Sequence, residues 1–301
     1  MNYLVTGATG FIGRHLVEFL LAHGHSVNYL ARHRSKTLDS RAAFHCWNPG
    51  DMPPLSSVPR VDAVINLAGE PVAQRWNAEI KQRIYASRVE GTRQLVSAIA
   101  GLRHRPSVLV SASAVGYYGN RGDEVLTESS PPGQDFLARV CVEWEQEALR
   151  ARDSNLRVAT VRIAAVLGRD GGALKQMLPS FRLGLGGQFG SGRQWMPWIH
   201  VHDLVRLLVF AAETESASGA LNGGSPEAVT NAQFTKALAR TLHRPALLRI
   251  PRFAMRLALG EASDFLFASL RVVPEAARHA GFTFEYPQLD VALEHLLGRM
   301  V

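Results

Sequence analysis

The sequence predicts an α/β fold in which a doubly wound parallel sheet is followed by a smaller C-terminal α+β substrate domain. Three observations carry this prediction. Apolar runs of strand length alternate with helical-period stretches from the first residue to residue 167, the pattern of a parallel sheet covered on both faces. A glycine motif follows the first strand at once and opens the first helix. Beyond residue 226 the periodic stretches become short and are separated by prolines. With 301 residues, 47% hydrophobic and 20% charged, the chain has the balance of a folded protein and enough apolar surface for a large core.

In order, residues 2–6 read as a strand and 11–23 as a helix whose Phe11, Ile12, Leu16, Phe19 and Leu20 recur at helical spacing. Residues 26–31 read as a second strand and 44–47 as a weaker one, after which Pro49, Gly50, Pro53, Pro54 and Pro59 mark a loop. The run 61–67 reads as a buried strand. Residues 76–100 read as one long helix, because Ile80, Ile84, Arg88, Gly91, Leu95 and Ile99 share a face, with Gly91 expected to permit close packing. A strand at 108–112, a helix at 135–152 and a strand at 157–167 follow. A glycine-rich loop at 184–192 precedes a helix at 203–213 capped by Asp203, and an amphipathic helix at 289–297 ends the chain. The domains are expected at 1–168, with 198–226 returning to that first domain, and at 169–301.

Composition excludes several functions. The 33 basic residues exceed the 26 acidic ones by +7, but the arginines are scattered singly and no basic run or nucleic-acid motif appears, so no nucleic-acid partner is expected. Cys46 and Cys141 have no metal-ligand spacing around them, which argues against a disulfide framework and a zinc site. His200, His202 and Asp203 are packed too tightly at a strand–helix junction to converge on one ion, so no metal is expected. The first apolar run is too short for a signal or a membrane span, and the expected location is cytoplasmic, with no membrane partner.

The motif Thr6-Gly7-Ala8-Thr9-Gly10-Phe11-Ile12-Gly13 sits where a dinucleotide fold of the Rossmann type requires it. Gly7 permits the tight turn, Gly10 lets the backbone approach a diphosphate, and Gly13 lets helix and strand pack closely. The diphosphate is expected on the helix N-terminus, where free N–H groups and the dipole favour negative charge. At the end of the second strand, where a free ribose hydroxyl calls for a carboxylate, the chain has Arg32, with Arg34 and Lys36 nearby. A guanidinium there holds a 2′-phosphate by charge-assisted hydrogen bonds, so NADP(H) is expected over NAD(H).

These motifs, with Asn66-Leu67-Ala68-Gly69, Ser87-Arg88-Val89-Glu90-Gly91-Thr92, Ser111-Ala112-Ser113-Ala114-Val115 and Trp198-Ile199-His200-Val201-His202-Asp203, resemble the extended short-chain dehydrogenase/reductase superfamily. More narrowly, the chain resembles its atypical epimerase-like family of NADP-dependent oxidoreductases with a small C-terminal domain. That resemblance rests on the stretches 162–172, 181–187, 190–195 and from Asn222 onward, and covers nearly the whole chain. It implies that Leu67, Ala68 and Gly69 line the cofactor, that Arg88 faces it from the helix, and that Arg83 and Arg162 reach the dinucleotide. It also implies a homodimer paired through the helices after the fourth and fifth strands.

The resemblance breaks at the catalytic centre. Typical members pair a serine after the fifth strand with Tyr-x-x-x-Lys on the next helix, and the lysine lowers the tyrosine pKa for proton exchange. Ser113 fits the serine position, but Phe136 and Val140 stand where tyrosine and lysine fall. Tyr117 and Tyr118 are the nearest phenols and the candidate replacements, with loop packing as their competing role. Cys141 reads as a core residue. Met177, Phe181, Arg193, Gln194, Trp195 and Trp198 offer groups that line a pocket for a small-molecule substrate, and His200 is expected to orient the loop or border the nicotinamide end. Two functions follow: an NADP(H)-dependent oxidoreductase or epimerase-type enzyme acting on a hydroxylated or carbonyl substrate, or a non-catalytic NADP(H)-binding redox sensor.

Overall fold

The computed structural model describes residues 1–48 and 50–298; Pro49, one of the loop prolines above, lies outside them. The first half of the chain runs β1 (Asn2–Thr6), α1 (Phe11–Ala22), β2 (Ser26–Ala31), β3 (Ala43–Cys46), β4 (Ala63–Asn66), α2 (Ala78–Tyr85), α3 (Gly91–Ala100), β5 (Val108–Ala114), β6 (Val125–Leu126), α4 (Phe136–Leu149), β7 (Arg157–Ile163) and β8 (Ala165–Leu167). The second half runs α5 (Gly172–Arg182), β9 (Gly187–Phe189), β10 (Trp198–His200), α6 (Val201–Glu213), β11 (Gly219–Gly223), α7 (Asn231–Thr241), β12 (Leu248–Ile250), α8 (Arg252–Leu259), α9 (Asp264–Phe267), β13 (Arg271–Val272), α10 (Glu275–His279) and α11 (Leu289–Leu297). Seven strands form one parallel sheet in the order β3-β2-β1-β4-β5-β7-β11. Strand order reverses between β1 and β4, so the carboxyl ends of these two strands open a crevice there.

Alternation along the strands feeds two cores. Tyr3 and Val5 pack with Leu16 and Leu20 of α1 and with Leu204 and Leu208 of α6, whereas Leu4 packs on the opposite face with Leu95 and Ile99 of α3. Each such side chain contributes about 1.5–3 kcal/mol by leaving water. A third core joins α5, α7 and α11 through Leu174, Leu178, Phe234, Leu238 and Leu293, and forms the smaller C-terminal domain. That domain is tied back to the sheet where β13 pairs with β6 beyond the end of β5.

Four local expectations need correction. The long helix starts at Ala78, where the Asn77 side chain accepts from the Ile80 N–H, and it passes through a π turn at Ala86–Glu90. Gly91 permits no close approach, since an added Cβ would meet only the Ala86 carbonyl oxygen, at 3.7 Å. The strand read at 157–167 is broken at Ala164, whose N–H bonds to the Gly223 carbonyl while β8 leaves the main sheet to pair with β10. The cap of α6 is the His200 side chain. Asp203 instead points inward and accepts from the Glu285 and Tyr286 N–H groups, both at 2.9 Å, which fixes the C-terminal segment against α6.

Candidate functional site

The crevice at the β1 and β4 ends is built by backbone requirements. Gly7 adopts φ of +69°, and a Cβ on it would lie 2.6 Å from the Leu67 carbonyl carbon. A Cβ on Gly13 would lie 2.2 Å from the Gly7 oxygen, so only glycine lets α1 seat against the turn. Thr9 and Gly10 are exposed at the head of α1, and a Cβ on Gly10 meets only the Gly7 oxygen, leaving its outer side open. The N-cap Gly10 supplies no side-chain acceptor and the first turn holds no acidic residue, in contrast to α2, α4 and α7 with their caps Asn77, Asp135 and Thr230. Phe11, Ile12 and Gly13 therefore present N–H groups toward the crevice. These residues suit a diphosphate: an open cradle, uncommitted donors and the positive end of a helix.

The Thr6 hydroxyl donates to Asn66 Oδ1 at 2.6 Å and accepts from the Ala68 N–H at 3.3 Å, which fixes Leu67, Ala68 and Gly69 beside the crevice. Arg32 and Arg34 are exposed beyond β2, with no carboxylate ion pair among the described residues, and Arg34 lies over the Phe44 ring. Arg83 pairs with Glu79 at 3.1 Å and Glu70 at 3.7 Å on the outer side of α2, so the structure does not bring it to the crevice.

Ser113, Tyr118 and Arg162 are brought together, but away from any open space. The Ser113 hydroxyl donates to Glu145 Oε1 at 2.6 Å, and Arg162 grips both oxygens of that carboxylate at 2.8 and 2.9 Å. Arg162 Nη1 also donates to the Tyr118 hydroxyl at 2.9 Å, which donates in turn to Asn222 Oδ1 at 2.6 Å. Burial pushes the Tyr118 phenol up to about 12, and its ring is fully enclosed. The expectation that Arg162 reaches a dinucleotide and that Tyr118 supplies a proton therefore gives way to a buried chain of hydrogen bonds joining β5, α4, β7 and β11. Tyr117 is half-buried with its ring 3.5 Å from the Arg162 guanidinium carbon, so that phenol packs on the same chain. Glu145 and Asn222 were not singled out from sequence; nothing in their spacing announces partners so distant along the chain.

A cavity of about 1300 Å³ opens beside the crevice, between the ends of β5 and β7 and the C-terminal domain. Phe11 and Ile12 form its edge, Ala114 to Gly116 and Ile163 to Val166 its sheet side, and Met177, Phe181, Phe189, Trp195 and Phe267 its far wall. Phe136 and Val140 face into it, so the side chains at the tyrosine and lysine positions are hydrocarbon at the place where the proton pair would act. Cys141 lies in the same wall with its thiol pushed up to about 12 by burial. Trp198 is in the core instead, Arg193 is exposed, and the segment read as a glycine loop is pinned as β9 to β12. The Phe11 ring is enclosed by a second glycine set: a Cβ on Gly168, Gly171 or Gly172 would lie within 2.8 Å of it. Arg14 and His15 fasten that turn through Asp170.

His200 is fully buried and stacked on Tyr286, with its Nδ1 accepting from the His202 N–H at 3.0 Å. Burial lowers its pKa to about 3, so it is a neutral cap that orients α6 and does not border the cavity. Among the described residues no three His, Cys, Asp or Glu side chains converge on a metal position, and no helix is long and apolar enough to cross a membrane.

Comparison with known proteins gives two family matches: the NAD dependent epimerase/dehydratase family over residues 3–224, and a domain of unknown function, DUF1731, over residues 250–296. The chain is 42% identical over 308 residues to the chloroplastic epimerase family protein SDR39U1 homolog of Arabidopsis thaliana, covering 99% of this chain and 87% of that one. It is 36% identical to the epimerase family protein YfhF of Bacillus subtilis (strain 168), covering 99% and 98%. The crystal structure of human epimerase family protein SDR39U1 (isoform2) with NADPH superposes over all of both chains with a TM-score of 0.90 at 34% identity.

Proposed function

The chain belongs to the NAD dependent epimerase/dehydratase family, and from that premise we propose that it is an NADP(H)-dependent oxidoreductase whose substrate enters the cavity beside β5 and β7. In this reading Gly7, Thr9, Gly10, Phe11, Ile12 and Gly13 hold the diphosphate, Leu67, Ala68 and Gly69 border the nucleoside, and Arg32 holds the 2′-phosphate. The human relative with NADPH supports that choice of cofactor. A bound nicotinamide supplies the hydride chemistry. This chain's own residues bind and orient the substrate and exclude water.

The observation that carries the reading is the cavity. With Arg32 holding the adenosine end on the β2 side in this reading, the reactive end falls on the β5 and β7 side, where the walls are apolar and the space is large. Ser113 and Tyr118 are committed to Glu145, Arg162 and Asn222, so they position the β5 end and do not deliver the proton. Phe136 and Val140 favour a second reading, an NADP(H) sensor that carries out no turnover.

Titration with NADPH and NADH, followed by a panel of carbonyl and hydroxyl compounds read at the nicotinamide absorbance, separates the two. Tight NADPH binding with turnover is the expected result. Tight binding without turnover across the panel supports the sensor, and failure to bind either dinucleotide sinks both readings.

A further inference from the structure

Among the described residues, the charged side chains that line the cavity are Arg88, Asp135, Arg252, Arg256, Glu261 and Asp264, balanced in sign. Each is engaged or stands aside. Arg252 pairs with Asp264 at 2.9 Å, Glu261 pairs with Lys81, and Asp135 accepts from the Ala138 N–H at 2.9 Å as the cap of α4. Arg256 is exposed to solvent. Arg88 is half-buried against Gly69, where an added Cβ would stand 3.1 Å from its Cζ, so its charge lies at the dinucleotide crevice and is available to the cofactor.

The uncharged polar side chains are turned to the protein's own backbone. Gln194 donates to the Phe189 carbonyl at 3.1 Å, Asn231 accepts from the Phe189 N–H at 2.7 Å, Asn120 accepts from the Ser269 N–H at 2.9 Å, and Ser180 donates to the Met177 carbonyl at 2.9 Å. Gln176 is exposed. The remaining walls are hydrocarbon, aromatic ring and thioether. Helix α4 contributes Phe136 and Val140, α8 turns Met255 and Leu259 inward one turn apart, and the segment beyond α8 adds Phe265, Leu266 and Phe267. The outer face of α8 carries Phe253 and Leu257, both 76% exposed, which do not meet the cavity.

An anion drawn between such walls would shed its hydration with no free cation to replace it, a costly exchange. An apolar body gains with every methylene that leaves water. We infer that the molecule taken by this cavity is uncharged and largely apolar, a ketone, aldehyde or alcohol on a hydrocarbon body, and that nucleoside diphosphate sugars are excluded from it. This inference rests on the reading of the cavity as a substrate site and names the class of molecule that site accepts.

The test measures binding, so it is separable from turnover. The 2-alkanones from 2-hexanone to 2-undecanone, and UDP-glucose and UDP-glucuronic acid, are titrated into the NADPH-loaded protein by calorimetry. The ketones should bind more tightly by about two- to fourfold per added methylene until the cavity is filled, and neither nucleotide sugar should bind at millimolar concentration. Met255→Glu places a charge on the inner face of a helix that has no fully buried residue, and should weaken the longest ketone by at least about tenfold. Leu257→Glu, on the outer face of the same helix, should leave that affinity unchanged. Absent or flat binding across the ketones, tighter binding of either nucleotide sugar than of any ketone, or equal effects of the two variants each overturns the inference. The wild-type series decides it even where a variant fails to fold, and failure to bind NADPH would instead sink the cofactor reading on which it rests.

Discussion

Arg32 is the residue at which the choice between two cofactors is made. Arg32→Asp should weaken NADPH binding by about ten- to a hundredfold, since a charged hydrogen bond is replaced by repulsion, and leave NADH binding nearly unchanged. Equal weakening of both in a fluorescence titration would remove Arg32 from the 2′-phosphate. A second single-residue prediction concerns the buried chain. Tyr118→Phe leaves Arg162 Nη1 and Asn222 Oδ1 each short of a partner and should cost about 1–3 kcal/mol, read as a lower midpoint in urea. Glycines 7, 10 and 13 were legible in the sequence because a backbone constraint acts within a few residues. The contacts that join Ser113, Glu145, Arg162 and Asn222 were not, because they bridge separations of 32, 17 and, through Tyr118, 104 residues. An arginine reads the same in a sequence whether it meets solvent, a ligand or a buried carboxylate.

Among the elements, the boundary of α6 shows how much a cap decides. His200 is neutral when folded, with its pKa lowered to about 3, and titrates near 6.5 when unfolded. Below that unfolded value the unfolded chain binds the extra proton, so this contribution to stability is complete above about pH 6.5 and is lost as the pH falls toward 3. Thermal unfolding from pH 7 to pH 4 should therefore show a falling midpoint, with a shallower fall in His200→Asn, which keeps a capping oxygen. Equal slopes would assign the acid sensitivity to other groups. Six of the seven main strands and helices α1 to α4, α6 and α11 were legible from periodicity, whereas β11 was not read as a strand. The break at Ala164 was not, since residues on both sides of it are equally apolar and the cause is a hydrogen bond to Gly223 contributed from another strand. The π turn was hidden for a similar reason: an apolar stripe at three- and four-residue steps tolerates one extra residue without losing its face.

At the scale of the whole molecule, the dinucleotide crevice and the cavity share one wall, the first turn of α1. The glycine-lined seat of Phe11 makes that wall stiff, because the turn at residues 168–172 and α1 hold each other in place. Gly171→Leu should push the Phe11 ring out of its seat and weaken NADPH binding together with stability, whereas the same change at the unencumbered Gly219 alters neither cofactor affinity nor the cavity, although its φ of +76° costs some stability. Parallel measurement of dissociation constants and midpoints for the two variants checks this. Helix α2 and α4 lie side by side, with Ile84 against Val140 and, one turn on, Arg88 against Trp144. Two cations one turn apart in a poorly solvated wall repel strongly. A lysine at position 140 and an arginine at position 88 are thus alternatives, and neither substitution is neutral in the background of the other. Val140→Lys alone should destabilise the protein more than Val140→Lys combined with Arg88→Met. The ordinary proton pair is therefore reached from this chain only by a route that also gives up its half-buried guanidinium, so the order in which such changes accumulate is constrained by charge.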